Sequence, residues 1–328
     1  MSSSADLEGA DSPVTIPVIC GPTASGKSAI ASWLSQRREL LVISADSRQV
    51  YREFDVGTAK PTAEERRKVP HRGVDVVAPT ERYSAADFAS MAQSAIREAL
   101  HTSRIPVVVG GTGFYIGALF RPLWAQPVID PTRRQALQGL LDRLSAEELR
   151  RWCVTLDPPR AHLGRTQLLR AIEVALLTGQ RLSDMHVVHA RPRAFVPSYL
   201  LVDPATDLPA RIAARALAML ETGWPEEVRR LMADVPPDAP AWKATGYGIV
   251  RSYVQGGLDR SDALEQLIIE TRQFAKRQRT WFRHQLEAER VQRLMPNAPG
   301  WQELVDRWIT EVERQQKDER VERGEHAL

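Results

Sequence analysis

The stretch Gly21-Pro22-Thr23-Ala24-Ser25-Gly26-Lys27-Ser28 decides the fold. It matches G-x-x-x-x-G-K-[ST], the pattern of a phosphate-cradling loop. Val14 to Cys20 before it are mostly β-branched and apolar and read as a buried strand, and Ser28 to Arg38 after it read as a helix. The motif needs that order of strand, loop and helix. Its glycines permit a tight turn, and successive backbone N–H groups form an anion nest. The helix N-terminus adds partial positive charge. Lys27 adds a full charge, and the Ser28 hydroxyl is a candidate Mg²⁺ ligand. The loop implies that a di- or triphosphate binds and leaves open what is done with it.

Working outward, Leu40-Leu41-Val42-Ile43 reads as a second buried parallel strand, with Ser44-Ala45-Asp46-Ser47-Arg48-Gln49-Val50-Tyr51 at its carboxyl end. Ligands of open α/β sheets sit at that end, so Asp46 should face the crevice of the phosphate loop, whether or not it also caps a helix. Gly57 to Thr62 and Val69 to Arg72 read as polar connection, and Val74-Asp75-Val76-Val77 as a further strand. Ser84 with Asp87 makes a capping box for a helix through about His101. Ile105 to Val109 is the most strand-like run, and it breaks into Gly110-Gly111-Thr112-Gly113. Glycines there allow close backbone approach to a ligand. Phosphate-loop motors and switches hold Mg²⁺ with an Asp at the end of an apolar strand. This strand ends in glycines, which argues against a switch-type ATPase.

From Leu119 to Pro197 strand-like runs vanish, and Arg133 to Trp152 and Gln167 to Thr178 have helical apolar spacing. Ser198 to Asp203 returns to the strand pattern. Leu208 to Leu220 is an amphipathic helix that Gly223 can end, with Pro225 in the first turn of the next. Ser261 to His284 is a long helix on which Arg272, Lys276, Arg279 and Arg283 share a stripe about 60° wide. Mutually repelling cations on one stripe fit either a solvated face or a nucleic-acid backbone. The expected organisation is α/β. A core of residues 13–118 and 198–314, with a parallel sheet flanked by helices, is interrupted by an all-helical insertion at 119–197. A disordered tail at 1–12 and a charged, fraying tail at 315–328 complete it.

Composition narrows the class. Over 328 residues, 43% hydrophobic and 26% charged content is that of a globular protein, and the formal net charge of +3 leaves any polyanion site to a local patch. Cys20 and Cys153 have no metal-type spacing. The N-terminal stretch lacks the basic and apolar regions of a signal peptide, and no run approaches the roughly 20 apolar residues of a membrane span. A cytoplasmic monomer, with no membrane partner, is the expectation.

Together these pieces resemble the tRNA dimethylallyltransferases, also called tRNA isopentenyltransferases. The resemblance rests on Gly21–Ser28, SADSRQVY at 44–51, GTAKPT at 57–62, VPHR at 69–72, YSAADF at 83–88, GGTGFY at 110–115, Gly246-Tyr247 and TRQFAKRQRTWFR at 271–283, in that order. It implies a P-loop NTPase-like core with a helical insertion over RNA. It also implies transfer of a dimethylallyl group from dimethylallyl diphosphate to N6 of the adenosine just 3′ of the anticodon in a tRNA anticodon stem-loop. On the family pattern Thr23, Lys27 and Arg211 hold the diphosphate and Ser28 ligates Mg²⁺. Asp46, Ser47, Arg48, Gln49, Thr112 and Arg133 then meet the RNA, supported by Tyr247, Arg272, Lys276, Arg279 and Arg283. Asp157 to Gln167 departs from that pattern by lacking an Asn-Asp pair, and no C-terminal zinc finger is present, as in bacterial members.

The residues suit such a reaction. An allylic diphosphate ionises when its leaving group is stabilised, which a phosphate loop with Mg²⁺ does, and ATP hydrolysis is not needed. Asp46 can take the proton of the attacking amine. Two other readings compete: a phosphate-loop small-molecule kinase, and a non-catalytic RNA-binding protein with a structural nucleotide site.

Overall fold

The computed structural model describes residues 13–120, 129–188 and 193–322. The chain runs β1 (Val14–Cys20), α1 (Lys27–Ser35), β2 (Leu40–Ser44), α2 (Ala63–Lys68), β3 (His71–Arg72), α3 (Ala85–His101), β4 (Ile105–Gly110) and α4 (Gly113–Phe120). Four helices follow: α5 (Pro131–Leu141), α6 (Ala146–Leu156), α7 (Arg165–Thr178) and α8 (Leu182–Val188). Then come β5 (Phe195–Val202), α9 (Leu208–Glu221), α10 (Trp224–Asp234), α11 (Tyr247–Val254), α12 (Arg260–Gln285), β6 (Val291–Leu294) and α13 (Trp301–Glu322).

All six strands join one sheet in the order β3-β2-β4-β1-β5-β6, and every pairing is parallel. Parallel strands need helical crossovers, so both faces are covered and the central strands read as near-continuous apolar runs. β1 is buried along its whole length. Side chains alternate between faces. Ile16, Val18, Leu41, Ile43 and Val108 pack with residues of α3, α4 and α9 to α11. Ile19, Leu40, Val107 and Leu200 pack instead with Ile30 and Leu34 of α1 and Val305, Ile309 and Val312 of α13. The phosphate loop thus leaves the carboxyl end of a central strand, where the helix N-termini converge.

The chain divides into two compact units, residues 1–120 with 194–328, and residues 121–193. In the second unit, Leu141, Leu149, Cys153, Leu168, Ile172 and Leu182 form a separate core. The helical spacing at 133–152 is divided between α5 and α6, because Ser145 and Glu148 form a capping box that starts α6. Asp157, from the segment that departs from the family pattern, is buried and accepts the Ser183 N–H at the start of α8 (3.1 Å). Among the described residues, no helix is long and apolar enough to cross a membrane.

Three local expectations are corrected. Val74 to Val77 is not a sheet strand; only an isolated bridge joins Tyr51 and Val77, and the edge strand is His71–Arg72. The long helix starts and ends one residue beyond its expected limits, at Arg260 and Gln285. The charged tail does not fray at 315–322, where α13 continues. β4 pairs with β1 only from Val18 on, so the backbone of Thr15 has no strand partner on that side. Glu319 accepts the Thr15 N–H (2.9 Å) and hydroxyl (2.6 Å), and the Gln316 amide donates to the Thr15 carbonyl (2.6 Å). Buried backbone groups must be paired, and these two polar residues pair them. The tails at 1–12 and beyond 322 lie outside the described residues.

Candidate active site

The phosphate loop is held by close backbone packing. Gly21 (φ 151°) lies against the Val202 carbonyl, where a Cβ would come within 2.2 Å of the oxygen. Gly26 is left-handed (φ 100°) and precedes α1 without a side-chain cap. The amides of Lys27 and Ser28 find no acceptor among the described residues. Such orphan amides at a helix start bind anions. Lys27 Nζ donates to the carbonyls of Gly21 (3.0 Å) and Pro22 (2.7 Å), and Arg211 Nη1 to that of Ser25 (3.0 Å). Both cations thus rest on the loop's own oxygens. Ser28 is exposed beside them.

Asp46 follows β2 and is held from both sides. Its Oδ1 accepts the Arg48 N–H (2.8 Å). The Ala45 N–H donates to Val109 and the Ala45 carbonyl accepts from Thr112 N. Thr112 Oγ1 accepts the Ser47 N–H (3.0 Å). Gly110 is required here, since a Cβ would sit 2.1 Å from the Ala45 oxygen. The glycines after β4 therefore clamp the Asp46 loop. Gln49 uses both ends of its amide inside the protein: Oε1 accepts from Ser44 Oγ, and Nε2 donates to Ala59. It shapes the Gly57–Pro61 loop, which Lys60 anchors through Tyr51 O, Asp55 and Asp75 (2.7, 2.5 and 2.6 Å). His71 is likewise structural, its Nδ1 lying 2.7 Å from the Val69 carbonyl.

Thr23, Asp46, Arg48 and Arg215 line a cavity together with Ile212, Met219, Trp224, Leu267 and Phe274. Burial pushes the Lys27 ammonium down to about 8, helped by the Arg215 charge and opposed by Asp46. Burial also lowers Arg215, again opposed by Asp46. Sequence reasoning missed Arg215. The available signal was its place one turn beyond Arg211, on the stripe that buries Leu208, Ile212 and Ala216. An arginine there is costly unless it meets an anion. Cys20, behind the loop, is pushed up to about 12 by burial and is no nucleophile.

Other sequence-predicted residues divide. Arg272, Lys276 and Arg283 are exposed and unpaired among the described residues. Arg279 is not a free cation: its guanidinium forms a two-pronged pair with Asp203 and donates to Ala205 O (2.9 Å). Of the four stripe cations expected to support RNA, Arg279 is thus already held by a carboxylate of the protein. Tyr247, expected to support RNA, is fully buried. Its hydroxyl donates to Glu227 Oε1 (2.6 Å), whose Oε2 accepts the N–H groups of Asp55 and Val56. It packs against Phe54 (4.8 Å between ring centroids) and Trp224 (5.4 Å), so it shapes the cavity from behind and offers no face to a base. Arg133 is an exposed residue of α5 in the second unit.

Mg²⁺ fits this donor set in one way. Among the described residues no group of His, Cys, Asp or Glu converges on a metal position. The hard cation would therefore take the Ser28 hydroxyl, water and the oxygens of the bound diphosphate, as Mg²⁺ does beside phosphates.

Fold and site define a class: a parallel α/β protein of phosphate-loop type whose loop borders a largely apolar cavity that also holds a carboxylate. The chain belongs to the IPP transferase family, whose model matches residues 49–285, with a second model, isopentenyl transferase, matching residues 14–72. It is 38% identical over 281 residues to a tRNA dimethylallyltransferase of Deinococcus radiodurans, covering 84% of this chain and 91% of that one. It is 40% identical over 306 residues to one of Gloeobacter violaceus, covering 91% and 98%. Among solved structures, the full-length tRNA isopentenylpyrophosphate transferase of Bacillus halodurans matches with TM-score 0.66 and 31% identity, over 94% of this chain and 99% of that one. A eukaryotic dimethylallyltransferase acting on tRNA matches with TM-score 0.67 and 26% identity, over 82% and 70%.

Proposed function

We propose that the protein is a tRNA prenyltransferase. It moves a dimethylallyl group from dimethylallyl diphosphate to N6 of the adenosine just 3′ of the anticodon, releasing diphosphate. The observation that carries this reading is the cavity lined jointly by Thr23 of the phosphate loop, Asp46, Arg215 and an apolar wall. A kinase needs no such apolar wall beside its anion site, and a passive RNA binder needs no carboxylate facing it.

The chemistry follows from the residues. The diphosphate seats on the orphan amides at the start of α1, and Lys27 and Arg211 turn from the loop's carbonyls toward its oxygens, joined by Arg215 from the cavity wall. The C1–O bond breaks, and its electron pair stays with the diphosphate oxygen, where these fixed charges stabilise it. Mg²⁺, when bound beside Ser28, neutralises further charge on that leaving group. Ile212, Met219, Trp224 and Phe274 surround the dimethylallyl carbons and exclude water from the allylic cation. The adenine amine, extruded from its stack, attacks C1, and its proton passes to an Asp46 carboxylate oxygen. The bond between Asp46 Oδ1 and the Arg48 amide fixes that carboxylate. Arg272, Lys276 and Arg283 contact the RNA backbone.

The test is mass analysis of nucleosides from unmodified tRNA incubated with enzyme, dimethylallyl diphosphate and Mg²⁺. One adenosine should gain a dimethylallyl group. Asp46→Asn should lower turnover by about 10²–10⁴-fold while tRNA still binds. No mass gain with the wild-type protein defeats the reading, and near-normal turnover in the variant defeats the base assignment.

A further inference from the structure

Gln278 is the one polar residue of α12 that is buried, 7% exposed. Both ends of its amide are engaged, each by a different loop. Oε1 accepts the Thr23 N–H (2.7 Å), and Nε2 donates to the Gly111 carbonyl (2.8 Å). A Cβ on Gly111 would lie 2.3 Å from Nε2, so the absence of a side chain there is a condition of the contact. Thr23 belongs to the phosphate loop, whose other internal backbone bond, Ser25 N–H to Pro22 O, is local. Gly111 leads to Thr112, which bonds Ala45 and Ser47 on either side of Asp46. One side chain therefore joins the anion site to the loop that carries the carboxylate. It projects from the same helix that bears the exposed cations Arg272, Lys276 and Arg283.

We propose that Gln278 is a positioning residue that couples the two substrates: RNA seated on α12 fixes the helix, and Gln278 transmits that placement to the phosphate loop, so that diphosphate binds more tightly when RNA is present. The inference rests on the function proposed above. A ligand shifts another's affinity only through contacts that differ between states. Gln278 supplies such a contact, because displacement of α12 breaks both bonds at once and leaves the Thr23 N–H free to turn. Linkage makes the effect reciprocal, so diphosphate tightens RNA by the same factor.

The experiment measures binding of inorganic pyrophosphate with Mg²⁺ by titration calorimetry, alone and with saturating unmodified anticodon stem-loop RNA. It compares the wild-type protein with Gln278→Ala and with Gln278→Met, which keeps the volume and removes both bonds. Thermal unfolding of each variant is recorded alongside, so that a folding defect is seen separately. In the wild-type protein RNA should tighten pyrophosphate about tenfold, within the usual span of site-to-site coupling. In a folded variant that ratio should fall to within about twofold of unity while RNA alone binds as before. A ratio unchanged in either folded variant overturns the proposal. So does a wild-type protein that binds both ligands without coupling, which leaves the proposed function standing. A wild-type protein that binds neither ligand removes the function and this inference together.

Discussion

Tyr247→Phe separates a structural from an RNA-facing role for this residue. The substitution removes one oxygen and keeps the ring, so the packing on Phe54, Trp224 and Trp242 persists. What is lost is the 2.6 Å bond to Glu227, a buried carboxylate that also fixes the Asp55 and Val56 amides. Burial, with the Glu227 charge, raises the tyrosine's pKa far above the ordinary value, so the hydroxyl remains a donor at any working pH. A hydrogen bond to a charged group contributes about 1.5–3 kcal/mol, and the stranded carboxylate oxygen places the cost toward the upper end. At about 2–4 °C per kcal/mol for a unit of this size, the unfolding midpoint should drop by roughly 5–12 °C. RNA affinity, measured below that midpoint by filter binding or fluorescence anisotropy, should stay within about twofold, since the residue reaches no solvent. An unchanged midpoint together with weakened RNA binding would refute the structural assignment.

Further outcomes follow from charge. Lys27 has a folded-state pKa near 8, below its ordinary 10.5, so folding disfavours its proton. The substrate-free protein therefore carries a penalty at and below pH 8 that is relieved as pH rises toward 10.5, and this group's contribution to stability increases across that window. Bound diphosphate favours the protonated lysine instead. Affinity for dimethylallyl diphosphate, followed by calorimetry without RNA, should be flat below about pH 7 and fall by up to about tenfold per unit above pH 8. A profile flat from pH 7 to 10 would remove Lys27 from the anion site. The double variant Arg272→Ala, Arg283→Ala should weaken RNA binding and lower the salt slope by about 1.4–1.8, two phosphate contacts' worth. Arg279→Ala should change that slope less and lower the unfolding midpoint, because Asp203 loses its partner. An unchanged slope in the double variant would make the stripe ordinary solvated surface.

Local chemistry can be read from the chain alone. The glycines, Lys27 and Ser28 needed only their spacing and the flanking strand and helix to announce a phosphate loop, because turn geometry and orphan helix amides are local properties. The capping box of Ser84 and Asp87 and the strand at 105–110 were legible for the same reason. Asp46 could be placed at the anion site because the carboxyl ends of parallel strands share one side of the sheet. Tertiary structure decided whatever depends on a partner distant in sequence. A tyrosine beside a glycine reads alike whether it stacks on RNA or fills a core, and Glu227, twenty positions away, makes Tyr247 internal. A charged C-terminal segment reads as a fraying tail until the open backbone of Thr15 requires Glu319 and Gln316. Arg279 counts as a free cation until Asp203 lies beside it. Arg215 and Gln278 carried ordinary polar identities in the chain. Only the packing of α9 and α12 around the phosphate loop turns them inward, where an unneutralised charge or an unpaired amide is too costly to be left without a role.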